Sequence, residues 1–543
     1  MKLPKINKKN WLEIIFLGIL FVFSWWLMWH TFNYKDGVIY IATKAWSDFA
    51  AHLPLIRSFS WGKNFPPEYP LFPGEPIRYH FLFYFLVGML EKIGLPLDWA
   101  LNLPSVFGFW SLLVIIYLLA KLFFNKKSVA FLAVLFFLFN GSLSFLEFFK
   151  QHPLSFNTPK EIITNNTFPS FGPYDGKIVS AFWNLNIFTN QRHLGASYFL
   201  VLSIIYLLLK AVKLNKKLKP WQILLMGFIF GIMPFFHKAA FLITGPILLS
   251  LFLYLPKLRR PIFIIGLIAT FLALPQLTYQ FRGEIPLISF HPGYLIAYPL
   301  TVKKFFFYWF QNLGVSLILI PAGFLLSNKL AKKLFLAVLP LFFIGNLFQF
   351  SPEIAANHKF FNLFLIIGNM FSAWVIYKVW QKKFFGKLIA FLLIFFLVFS
   401  GIIDFFPIKN DSLGAINDAP KNPDILWIKE NTPPDSIFLN SSYLYHPASL
   451  AGRKIFLGWP YFSWSAGYNT NKKDQLAKQI WTNDNKKEVC FLLRKNNIYG
   501  VILEEKSPDF PINVLFWKNN FYPSYRRKDN SLIIYEIHKN CQG

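Results

Sequence analysis

LDWALNLPSVFGFWSLLVIIYLLAKLFFNKKSVAFLAVLFFLFNG, residues 97–141, decides the fold. An apolar run is followed by a short basic loop at Lys126 and Lys127, and then by a second apolar run. A bilayer-crossing helix needs about 18–25 apolar residues, so the stretch reads as two spans joined by a basic turn. The same alternation runs through most of the chain. Further apolar runs begin near Trp11, His193, Trp221, Ala239, Pro261, Phe305, Leu334, Phe360 and Phe385.

Composition agrees. Of 543 residues, 55% are hydrophobic and only 15% charged, too few charges to cover the surface of a soluble protein of this size. The net charge of +29 does not indicate nucleic acid, because the basic residues sit in short clusters between apolar runs, as in cytoplasmic loops. The basic N-terminus, MKLPKINKKN, precedes an apolar stretch without a small-residue cleavage site, so a membrane anchor is expected rather than a cleaved signal. Cys490 and Cys541 are too few for a disulfide framework, and one optional bridge is possible.

The clusters KINKKN, FNKKS, KLNKKLKP, KLRRP, NKLAKK and QKKFFGK fall on one side of the membrane only if the short run 79–94 does not cross it. The positive-inside rule therefore predicts about eleven full spans (about 11–13 with marginal segments), a cytoplasmic N-terminus, and 79–94 as a short or re-entrant helix. The outer segments become 30–100, 150–192, 282–302 and 351–358, with a turn near 237. His30, His52, His80, His152, His193, His237, His291 and His358 all fall at or beyond that outer edge. Ionisable residues at membrane depth tend to line sites, although histidine and tryptophan also favour interfaces.

After residue 404 the character changes. NPDILWIKENTPPDSIFLN reads as helix, turn and strand, KKEVCFLLRKNNIYGVILEE as helix and buried strand, and SLIIYEIHK as a late strand. The expected architecture is a polytopic α-helical membrane domain over 1–404, with first outer loop 30–100, followed by an extracytoplasmic α/β domain over 405–543.

Candidate chemistry concentrates in the first outer loop. WSDFAAHLPLIRSF, residues 46–59, places Asp48 and His52 at i, i+4 on one helical face, with Arg57 beyond. Phe49, Leu53 and Ile56 share another face, suggesting a short helix lying on the membrane surface. Ser47 and Asp48 could equally be a helix cap. The following loop carries Glu68, Glu75, Arg78, Tyr79 and His80. Gln191, Arg192 and His193 open one span, His358 and Lys359 open another, and His237 and Lys238 occupy a tight turn. Basic side chains at an outer face suit a phosphate, and a nearby lone carboxylate suits a general base. Arg192, Lys238 and Lys359 could also simply snorkel to headgroups. GxxxxGK[ST], HExxH and GxSxG motifs are absent, as is any strong metal-ligand spacing, so neither a metal nor another cofactor is expected.

An N-terminal span, a first outer loop with an acid, and the Leu103-Pro104-Ser105 segment of 97–141, read as a turn, together resemble the GT-C superfamily of membrane glycosyltransferases, which includes protein O-mannosyltransferases and aminoarabinose transferases. HPASLAGRKIFLGWPYFSWSAGYN, residues 446–469, is similar to the tail domain of some bacterial members. Asn102 stands where those relatives carry an arginine. The resemblance implies a polyprenyl-phosphate-linked hexose or pentose as donor, with membrane lipid around the site and an acceptor that is protein, lipid or polysaccharide. It also implies that Asp48 is the first-loop acid, taking the acceptor proton in an inverting transfer while Arg or Lys stabilises the leaving phosphate. Some members hold a metal on a paired acid motif, and Asp48 has no Asp or Glu two residues away. The competing readings are a ligase or polymerase acting on lipid-diphosphate-linked glycans, and a transporter of such lipids without chemistry.

Overall fold

The computed structural model describes residues 11–170, 176–280, 288–505 and 508–541. The basic N-terminal stretch, and 282–287 of an expected outer segment, lie outside them. Among the described residues, seven helices are long and apolar enough to span a membrane: Trp11–Thr31, Leu97–Phe124, Arg192–Lys213, Pro256–Gln280, Lys329–Leu347, Ile354–Trp380 and Phe384–Lys409. Val302–Leu313 and Ser316–Leu326 form a further pair bent by 85°. Three apolar segments expected as full spans are shorter helices: Lys127–Leu138, Pro220–Phe236 and Lys238–Tyr254. By length alone the count is therefore seven, or eight with the bent pair, fewer than the predicted eleven. The protein is a multi-pass membrane protein.

The short run after His80 forms the helix Leu82–Lys92. It does not take the chain to the other side. Asn102, early in the next long helix, donates to the carbonyl of Phe32 just beyond the first span and also contacts Arg192 at the start of another. These three helix ends lie together, as the charge pattern required. The Leu103-Pro104-Ser105 segment is not a turn: Pro104 sits inside the continuous helix Leu97–Phe124. Packing against Arg192–Lys213 over the length of both helices outweighs the one backbone hydrogen bond that proline forfeits. Ser105 returns its hydroxyl to the carbonyl of Leu101 at 2.7 Å.

The polar C-terminal region begins later than expected, because the last span runs to Lys409. Its helix–strand order follows the sequence reading: Pro423–Asn431 then Ile437–Asn440, Lys486–Lys495 then Gly500–Glu504, and finally Leu532–Glu536. Lys454–Ile455, Ile437–Asn440 and Gly500–Glu504 run parallel in a five-stranded sheet, and Leu532–Glu536 and Tyr525–Arg526 complete it antiparallel. Cys490 and Cys541 are disulfide-bonded.

Among the described residues, this region shares its core with the first loop. Strand Leu413–Asn417 pairs with Val38–Ala42, which pairs in turn with Phe32–Lys35. One hydrophobic core joins Phe49, Leu53, Ile56 and Phe59 of the first loop to Ile428, Leu439, Trp481 and Ile502 of the C-terminal region. The helix Trp46–Ser60 is consequently buried from Phe49 onward on nearly every side. It does not lie on a membrane surface, because the C-terminal region covers the face that would have met lipid.

Candidate active site

Asp48 lies in the first turn of Trp46–Ser60, and its side chain does not cap that helix; the cap position is Ala45. Capping is thus not its role. Asp48 and His52, on adjacent turns, line a cavity of about 540 Å³. Five other segments complete the walls. Arg78, Tyr79 and His80 come from the end of the first loop, and Asn186, Asn190 and Gln191 precede a span. His237 and Lys238 come from the helical turn, Glu353, His358 and Lys359 from the start of another span, and Trp459, Tyr461 and Phe462 from the C-terminal region.

Most of the expected site residues therefore converge, but Arg57, Glu68, Glu75, Arg192 and His193 do not line the cavity. Arg57 is buried in ion pairs with Asp418 at 2.5 Å and Glu91 at 3.2 Å, its guanidinium 3.3 Å from the ring centre of Trp61. It is a structural strut, not a substrate ligand. Glu75 pairs with Arg78, and Glu68 with Lys454 at 2.7 Å. Arg192 was expected to join Lys238 and Lys359 on a phosphate. Instead it is 1% exposed and holds Thr31 Oγ1 at 2.8 Å, the carbonyl of Met28 at 3.2 Å and Asn102 Oδ1 at 3.4 Å. A guanidinium thus reaches Asn102 from another helix. His193 sits behind the cavity wall, between Tyr84 Oη at 2.8 Å and His80 Nε2 at 2.7 Å.

The remaining basic groups face the cavity. Lys238 donates to the carbonyl of Arg78 at 2.5 Å, and Lys359 reaches His358 Nε2 at 3.5 Å. His358 Nδ1 donates to Asn362 Oδ1 at 2.7 Å, with its ring stacked on Phe182. Neither ammonium snorkels to lipid, because both helix starts are enclosed by the first loop and the C-terminal region.

Burial pushes the Asp48 carboxyl up to about 6, while the Lys359 ammonium and the Asn190 side chain work in the opposite direction. Asp48 is thus a base poised below neutral pH. His52 is pushed down to about 3 by burial and then by Arg192, so its ring is neutral, and it stacks on Tyr84 at 4.5 Å. Burial lowers His80 well below its ordinary value, with His193 and His237 adding to the effect.

Two features were not legible beforehand. The rim from the C-terminal region, Trp459, Tyr461 and Phe462, was visible only as an aromatic-rich string; Tyr461 Oη meets Glu353 Oε2 at 3.0 Å across the cavity mouth. His80, His193 and His237 bring ring nitrogens within 4.8 Å of one another. Local motifs could not reveal this grouping, because the three residues come from separate segments.

No protein-family model matches the chain, and no curated protein matches it. Among solved structures, the chain is similar to the oligosaccharyltransferase of Archaeoglobus fulgidus. The apo form superposes with a TM-score of 0.54 at 14% identity, over 92% of this chain and 70% of that one. The complex of the same protein with an inhibitory peptide and a dolichol-phosphate gives 0.50 at 13% identity, over 91% and 70%. The chain therefore shares the fold of that oligosaccharyltransferase. ArnT of Cupriavidus metallidurans bound to undecaprenyl phosphate gives a TM-score of 0.49 at 8% identity, over 99% of this chain and 100% of that one.

Proposed function

We propose that this protein is an inverting glycosyltransferase that moves a sugar, a hexose or pentose, from a polyprenyl-phosphate donor to an acceptor in the Asp48 cavity. The carrying observation is the Asp48 carboxylate, its pKa raised by burial, facing a wall that also bears Lys238, Lys359 and Arg78, while the other cavity carboxylate, Glu353, is held by Tyr461 at the mouth. The acceptor hydroxyl gives its proton to Asp48. Its oxygen attacks the anomeric carbon on the face opposite the phosphate, and the bond from that carbon to the phosphate oxygen breaks with inversion. The leaving phosphate keeps the electron pair and is held by the ammonium groups through charge-assisted contacts. One carboxylate suffices because phosphate leaves without protonation, whereas a glycosidase needs two.

The archaeal oligosaccharyltransferase with the same fold was solved with a dolichol-phosphate and a peptide, which supports a lipid-phosphate donor here. The basic clusters support a cytoplasmic N-terminus and an extracytoplasmic C-terminal region. The Cys490–Cys541 disulfide fits that oxidising side. We assign the membrane domain to residues up to Lys409, with first outer loop 30–100, and the extracytoplasmic region to the residues after it.

The test is transfer from labelled polyprenyl-phosphate sugars by the purified protein in detergent. Release of polyprenyl phosphate with formation of an inverted glycoside is expected. Transfer that requires a lipid diphosphate, or tight lipid binding with no turnover on any acceptor class, would overturn the reading in favour of a ligase or a transporter.

A further inference from the structure

His80, His193 and His237 are buried at 7%, 0% and 0% exposure, and one ring nitrogen from each lies within 4.8 Å of the others. They are supplied by three separate segments: the end of the first loop, the start of the helix Arg192–Lys213, and the turn between Pro220–Phe236 and Lys238–Tyr254. Three imidazoles crowded together without a carboxylate among them form a poor proton store, because each opposes charge on its neighbours. As neutral nitrogen donors they form a good ligand set.

The hydrogen bonds around the trio point the same way. His80 Nε2 and His193 Nε2 share a 2.7 Å hydrogen bond that an ion between the rings would replace, and Tyr84 Oη holds the second nitrogen of His193, Nδ1, at 2.8 Å. A metal-ligating histidine uses its second nitrogen in this way, which fixes the ring and leaves the first nitrogen for the ion. His237 Nε2 is fully buried and has no hydrogen-bond partner. Its Nδ1 takes the amide of Ala240 at 3.1 Å. Ligation through Nε2 moves the ring proton to Nδ1 and exchanges that cap for the metal bond. His80 and His237 also line the cavity, so one side of the trio opens onto it.

We propose that His80, His193 and His237 form a divalent transition-metal site of the three-imidazole kind that zinc occupies, with its open coordination position on the wall of the Asp48 cavity. Three protein ligands plus an open position characterise sites that bind an exogenous oxygen; structural zinc sites are closed by a fourth side chain. The oxygen comes from water or from an anionic group entering the cavity. The metal site stands independently of glycosyl transfer, since it rests on the histidines alone.

The test is metal content, measured on full-length protein purified with a non-histidine tag, loaded with Zn²⁺ and desalted. One equivalent per chain is expected. Loading with Co²⁺ is expected to produce the intense visible absorption of a four-coordinate ion. His193→Ala and His237→Ala should lose both signals, whereas His358→Ala, which removes another cavity histidine, should keep them. Tyr84→Phe should weaken metal affinity by about 10–100-fold, the usual effect of removing a partner that orients a ligand. If a histidine variant does not fold, the wild type decides: chelation should lower its Tm, and Zn²⁺ should restore it. Substoichiometric metal in the wild type, equal loss in His358→Ala, or a Tm indifferent to chelator and Zn²⁺ would each overturn the site. None of these readouts depends on transfer activity, so the metal site can fail while the glycosyltransferase reading survives, and the reverse.

Discussion

The Arg57 guanidinium meets the Asp418 carboxylate at 2.5 Å across 361 residues of sequence, with both side chains 1% exposed. The same guanidinium reaches Glu91. It therefore ties the helix Trp46–Ser60 to the helix Leu82–Lys92 and to the chain leaving the last span. Removing one partner of such a pair leaves buried charge uncompensated. Arg57→Ala is expected to destabilise the protein by about 3–5 kcal/mol, read as a lower Tm in detergent. A stable, monodisperse Arg57→Ala protein that has lost only donor binding would return Arg57 to the site.

Asp48→Asn keeps the size of the side chain and, since Asp48 caps nothing, should leave Tm unchanged. Loss of a general base predicts a fall in kcat of about 10²–10⁴. Polyprenyl-phosphate binding should persist, measured by protection from thermal aggregation. A variant with wild-type turnover would remove Asp48 from the mechanism.

The rate should depend on pH through Asp48. Its raised pKa means that the folded protein holds the proton up to about pH 6 and that the base form prevails above it. kcat/KM is therefore expected to climb through about pH 6, falling tenfold per unit on the acid side. His52, neutral above about 3, contributes nothing in that window. Tyr84, Tyr79 and Tyr445, the phenols coupled electrostatically to Asp48, are raised by burial and stay neutral, and Lys359 is the cation facing it. A profile flat from pH 5 to pH 7 would contradict the assignment.

Lys238 and Lys359 should carry donor affinity, and Arg192 should not. Lys359→Met and Lys238→Met are each expected to weaken donor phosphate binding by about 1.5–3 kcal/mol, raising KM. Arg192→Met should instead lower Tm, because Thr31 and the carbonyl of Met28 lose their donor. A KM effect confined to Arg192→Met would reverse the roles.

Orientation can be read by labelling. Tyr522 is 80% exposed in the C-terminal region, and both native cysteines are paired with each other. Tyr522→Cys should react with a membrane-impermeant maleimide in intact cells. Protection until lysis would invert the whole topology.

The sequence by itself determined the membrane class, the order of apolar segments, the non-crossing run 79–94 and the helix–strand order of the C-terminal region. Most depend on patterns confined to neighbouring residues, a long apolar run or alternation along a strand, and the non-crossing run on the order of basic clusters along the chain, which needs no tertiary contact. The shared face of Asp48 and His52 was legible for the same reason, since a helix sets i and i+4 side by side whatever surrounds it. Only the tertiary structure decided which charges serve the cavity. Arg57 and Lys359 look alike in sequence, each a cation near an outer span end. Arg57 meets Asp418 and Glu91, whereas Lys359 faces Asp48, and none of these partners is near in the chain. The grouping of His80, His193 and His237 was hidden for the same reason. So was the closing of the cavity by Trp459 and Tyr461, because both arise where distant segments pack together and local periodicity carries no record of that contact.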